Sequence, residues 1–207
     1  GLKSTELVLV VVQDVNDLSV SSISPTALDN EGGERIQLEG SKFGPDWLSN
    51  DNVTVTASYE NAYDGAVYEA TDCKRHSTTN ITCKSAAGVG IGHSWNLTVR
   101  TTSTATWWTV ASDTTDYKTP VITAVRSSDL STRGGEEVTI VGNWFGPLNG
   151  TSDIGGYASD FVKVTYGRSE SKVSEFDCDS SLVVVSNTKI TCKSQEGSGN
   201  DLYWRVS

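Results

Sequence analysis

Residues 31–45 read EGGERIQLEGSKFGP, and 102 positions later residues 133–147 read RGGEEVTIVGNWFGP. The two stretches align without a gap. Gly32-Gly33-Glu34, Gly40 and Phe43-Gly44-Pro45 return as Gly134-Gly135-Glu136, Gly142 and Phe145-Gly146-Pro147. Downstream, Val53-Thr54-Val55-Thr56 is matched with Val162-Lys163-Val164-Thr165, now 109 positions on. The seven added residues fall in the Gly/Ser/Asn/Asp-rich stretch 148–159, which reads as a longer loop. Ile81-Thr82-Cys83-Lys84-Ser85 returns as Ile190-Thr191-Cys192-Lys193-Ser194, and Gly88 and Gly90 as Gly197 and Gly199. Ordered self-similarity at this period means two copies of one structural unit.

Each copy reads as all-β. Arg35-Ile36-Gln37-Leu38, Val53-Thr54-Val55-Thr56 and residues 161–166 alternate in the period of two that puts one face of a strand on a core. Gly-Gly pairs and Phe-Gly-Pro supply turns between them, and no helix-length stretch carries a 3.6-residue period. The expected architecture is two antiparallel β-sandwiches, residues 18–118 and 119–207, preceded by a strand and linker in residues 1–17.

The order Gly-Gly, alternating strand, Gly-x-x-Phe-Gly, V-x-V strand, Cys, I-T-C and Gly-x-Gly resembles the IPT/TIG family. That family comprises immunoglobulin-like domains of plexins and related receptors, bacterial and algal surface proteins, and some transcription factors. The resemblance runs over both copies, from about Leu18 to Ser207. It implies a sandwich and an interaction role, while fold alone does not set function. The proline that usually opens such a domain is Pro25 in the first copy. The second has Ser127 there, with Pro120 earlier.

With 16 Lys and Arg against 26 Asp and Glu, the chain has a formal charge of −10. That balance opposes nucleic-acid binding, which draws its affinity from basic patches. No apolar run nears the ~20 residues a membrane-spanning helix needs. The four cysteines permit three pairings, and the repeat selects Cys73–Cys83 and Cys178–Cys192, since each copy holds two. Disulfides place the chain in an oxidising, extracellular or cell-surface compartment. Four sequons accord with it, at Asn52, Asn80, Asn96 and Asn149, so covalent N-linked glycans are expected and no cofactor. The chain starts at Gly1 and contains no methionine, which reads as a processed protein or a section of a larger one.

The ends of the two copies differ. In the first, a strand at residues 95–100 is followed by Ala105-Thr106-Trp107-Trp108-Thr109-Val110, where a closing strand belongs. In the second, Tyr203, Trp204, Arg205 and Val206 are equated with the strand at residues 96–100, and Ser207 follows. Near the start, residues 4–14 lie on residues 103–113 and contain the apolar run Leu7, Val8, Leu9, Val10, Val11 and Val12. Two expectations arise. In the first, residues 4–14 of one copy complete the second unit of a neighbour, giving a head-to-tail homopolymer. In the alternative, the chain is a section of a multi-domain adhesion or receptor ectodomain with a protein or glycan partner.

No catalytic constellation accompanies His76 or His93, and both read as surface-loop residues, so no enzyme activity is expected. Asp14, Asn16 and Asp17 resemble a calcium-binding interdomain linker. The second junction, Asp113-Thr114-Thr115-Asp116, lacks that motif, and the same residues read as a plain turn. Trp107 and Trp108, adjacent in one strand, must face opposite sides, which leaves one for a neighbouring domain or a sugar.

Overall fold

The glycines that define the repeat are explained by what touches them in the computed structural model, which describes residues 18–44, 49–101, 106–147, 162–178 and 182–207. Gly32 and Gly134 hold φ of 71° and 69°, and a Cβ on either would strike the backbone at residues 86–87 or 195–196. Gly40 and Gly142 are closed by approach: a Cβ would run into the carbonyl oxygen of Ser19 or of Val121. Gly40 and Gly142 lie where two strands of one layer are drawn together, and Gly32 and Gly134 lie where one turn presses on another, so in all four places side chains are excluded by backbone.

The first unit contains β1 (Ser19–Ser24), β2 (Ala27–Leu28), β3 (Arg35–Ser41), β4 (Val53–Asn61), β5 (Val67–Arg75), β6 (Asn80–Lys84), β7 (His93–Thr101) and β8 (Thr106–Tyr117). Their ladder runs β1-β3-β6-β5-β4-β7-β8-β2. Strand β5 joins the two layers, pairing with β4 through residues 67–70 and with β6 through residues 71–75. The β6 pairing is bulged between Thr71 and Lys74, where Asp72 takes φ of 51°. Bulges bend strands, which is how one ladder supplies both faces of the sandwich. Every pair is antiparallel except the short β2–β8 contact, which is parallel.

The second unit has β9 (Val121–Ser127), β10 (Glu137–Asn143), β11 (Val164–Gly167), β12 (Phe176–Asp177), β13 (Val183–Ser186), β14 (Lys189–Lys193) and β15 (Tyr203–Val206). Here the layers are separate sheets, β13-β14-β10-β9 and β12-β11-β15. Each unit has its own apolar core. Ile36 and Leu38 on β3 and Val138 and Ile140 on β10 are fully buried, as their alternation requires. Helical content among the described residues is confined to short 3-10 turns at Asn50–Asn52 and Glu170–Lys172.

Aromatic stacking corrects the alignment of the copies. Trp95 pairs across strands with Tyr59 and stacks on it at 4.3 Å, and Trp204 does the same with Tyr166 at 4.4 Å. Structurally, then, β4 corresponds to β11 at an offset of 107, not 109. Likewise Tyr203 to Ser207 correspond to Ser94 to Thr98, two residues earlier than expected. A slip of two preserves the face on which every side chain lies, so alternation could not detect it. Residues 4–14, with the run Leu7 to Val12, lie outside the described residues. So do Asp14, Asn16 and Asp17, the long loop at 148–159, and Asn149.

Candidate functional site

Both disulfides are formed as the repeat requires, Cys73–Cys83 and Cys178–Cys192, and no cysteine is free. Their settings differ. Cys73 and Cys83 lie on β5 and β6, neighbours in one ladder. Cys178 directly follows β12 and Cys192 lies in β14, so the second bridge ties together two sheets that share no ladder among the described residues. An oxidising, extracellular setting is what two such bonds require. No helix among the described residues is long and apolar enough to cross a membrane.

His93 is not a surface residue. It opens β7, whose inward positions are His93, Trp95, Leu97 and Val99, and it is fully buried. Its Nδ1 lies 2.9 Å from the Thr115 carbonyl, and Tyr59, Tyr68 and Tyr117 pack edge-on around the ring. The Tyr59 hydroxyl accepts from the Ala86 amide at 2.9 Å, and that of Tyr117 donates to the Ala86 carbonyl at 2.8 Å. The two hydroxyls are 2.7 Å apart, which leaves Tyr59 to donate to Tyr117. Burial pushes both phenols above their ordinary pKa, most strongly for Tyr117. This cluster fastens the turn after β6 to the core. Tyr166 does so in the second unit, where its hydroxyl accepts from the Gln195 amide at 2.8 Å. His76 stays exposed, with Nε2 2.7 Å from the Thr82 hydroxyl. Among the described residues no cluster of His, Cys, Asp and Glu is suited to a metal ion.

Three features are suited to binding. The first is the outer edge of β15. In the first unit β7 lies between β4 and β8. Its counterpart β15 pairs with β11 alone among the described residues, and Trp204 is only partly covered where Trp95 is fully buried. The second is a cleft of about 340 Å³ between the units, lined by Asp64 and Ile91, by the connector at Lys118 and Pro120, and by Trp144 and Val162. Trp144 sits at φ of 60°, as does Lys42 in the first unit at 58°, so this left-handed turn belongs to the repeat. The Lys118 ammonium lies over the Trp144 ring, 5.7 Å from its centre. Sequence reasoning missed this cleft. Its one signal was that Trp144 replaces a lysine at an equivalent position.

The third feature is the outer face of β7 and β8, where Trp108 and Val110 are 63% and 53% exposed. Exposure of Trp108 agrees with the expectation that one of the adjacent tryptophans faces outward. Of the sequons, Asn52 and Asn96 present exposed side chains, whereas Asn80 on β6 is half-buried.

Residues 120–206 match the IPT/TIG domain family. The second unit is thus an IPT/TIG domain, and the first shares its repeat glycines, its Tyr–Trp stack and its intra-unit disulfide. No curated protein matches the sequence. Among solved structures, the full extracellular region of plexin A4 (domains 1 to 8) aligns over 92% of this chain and 17% of that one, with 16% identity and a TM-score of 0.36. A second form, domains 1 to 10, aligns over 92% and 14%, with 18% identity and the same TM-score. The chain therefore spans less than a fifth of the length of either.

Proposed function

We propose, from the premise that an IPT/TIG domain follows a unit of the same build, that this chain is a section of a multi-domain extracellular protein of adhesion or receptor type. In this reading it acts by binding a protein partner and not by catalysis. The supporting observation is the joint. Strand β8 ends at Tyr117 and β9 begins at Val121, leaving a three-residue connector. The Lys118 amide is bonded to the Leu28 carbonyl at 2.9 Å, and its ammonium contacts Trp144 of the next unit. Two disulfide-tied sandwiches with so short a joint make a stiff spacer that holds sheet faces at a set angle, a geometry of use in an ectodomain. The test is the size of the native polypeptide after boiling in denaturant with reductant. A band far above 22.2 kDa is expected, and a single species of that mass would overturn the reading.

The β15 edge favours a second reading, head-to-tail assembly in which residues 4–14 of another copy pair with that edge. Burying three apolar side chains of that segment would contribute roughly 5–9 kcal/mol at about 1.5–3 each, against an ordering cost of similar size. Under this reading, deletion of residues 1–14 converts fibres into monomers, and fibres that persist after the deletion defeat it.

A further inference from the structure

The face of β4, β7 and β8 that points away from the core is built mainly from small hydroxyl residues. Thr56 and Ser58 on β4 face Thr98 and Asn96 on β7. On the other side, Thr98 is paired with Trp108 and Asn96 with Val110. Two large apolar side chains thus stand more than half exposed on an otherwise polar surface, each directly opposite one residue of the sequon Asn96-Leu97-Thr98. Directly opposed side chains on one face have Cβ atoms about 4.5–5.5 Å apart, and diagonal neighbours about 7–8 Å. Trp108 and Val110 are therefore both within one sugar ring of the Asn96 amide.

We propose that Asn96 carries an N-linked glycan whose first sugar ring lies on the indole of Trp108 and over Val110, so that the modification covers the apolar patch of this face. The ring of an N-acetylhexosamine has one face of C–H groups. Set against an indole, it removes apolar surface from water on both sides, while its hydroxyls stay solvated. An exposed tryptophan beside a valine on an extracellular sheet is otherwise a liability for association. Attachment needs a lipid-diphosphate-linked oligosaccharide as donor. The Asn96 side-chain nitrogen forms the bond to the anomeric carbon and gives up one proton. The bond from that carbon to the diphosphate oxygen breaks, and the lipid diphosphate leaves with the bonding electrons. Nothing is oxidised or reduced. Asn52, exposed beside the start of β4 and several residues along the face from Trp108, is a built-in control.

The test uses the full chain secreted from a eukaryotic host. Peptide mapping after enzymatic deglycosylation, which converts a modified asparagine to aspartate, should find Asn96 occupied. The thermal midpoint should fall by about 2–4 °C, the scale of a modest contact in a chain of this size, in both Thr98→Ala and Asn96→Gln. In a Trp108→Ser background the same two variants should cause no fall, whereas the effect of Asn52→Gln should be equal in both backgrounds. An unmodified Asn96 overturns the proposal. So does a fall of equal size with and without Trp108, or a fall in Thr98→Ala that Asn96→Gln does not reproduce.

Discussion

Tyr117 illustrates how much one residue of the first unit does. It closes β8, is almost fully buried, and its hydroxyl is shared between Tyr59 and the Ala86 carbonyl. Burial, then the neighbouring phenol of Tyr59, raises its pKa far above the ordinary 10.0, and Tyr59 and Tyr68 are raised as well. Because the unfolded chain releases these protons near pH 10 and the folded one retains them, their contribution is complete below pH 10 and is lost as the pH rises above it. Each such tyrosine can steepen the fall by up to about 1.4 kcal/mol per pH unit. Urea unfolding at pH 8 and pH 11 should show a marked loss at the higher value. Tyr117→Phe should be less stable at pH 8 by about 1–3 kcal/mol, because its partners lose a buried hydrogen bond, yet show a shallower fall. Equal slopes for the two proteins would refute the assignment.

At the level of elements, the two disulfides separate covalent closure from sheet architecture. Their sequence separations are 10 and 14, so by chain entropy alone each contributes about 3 kcal/mol and the two differ by only about 0.3 kcal/mol. The surrounding ladders differ far more. Strand β5 links both layers of the first unit by hydrogen bonds with or without Cys73. In the second unit no ladder among the described residues crosses between the sheets, and Cys178–Cys192 is the covalent tie. Calorimetry of the double variants Cys73→Ala/Cys83→Ala and Cys178→Ala/Cys192→Ala should therefore show the larger loss in the second unit. Losses equal to within a few tenths of a kcal/mol would mean that loop closure is the whole effect.

Across the whole molecule, the joint sets what the two units can present together. Trp144 is held in a left-handed conformation that costs a non-glycine residue of order 1–3 kcal/mol, and it meets the connector through Lys118. Trp144→Ala should keep both units folded and loosen their mutual angle. Distances between spin labels placed one on each unit should broaden in the variant, and an unchanged distribution would show that the three-residue connector suffices. Much of this molecule was legible from its residues. The 102-residue repeat, the all-β class, the disulfide pairing and the positions of the turn glycines follow from local pattern, because alternation and backbone conformation are properties of neighbours in the chain. What tertiary structure alone decided is of another kind. The true register of β11 and β15, the burial of His93, the tie across two sheets and the meeting of Asn96 with Trp108 each depend on which strands lie side by side. A pattern of period two is unchanged by a slip of two, and it says nothing of the partner strand, so only the folded ladder could settle them.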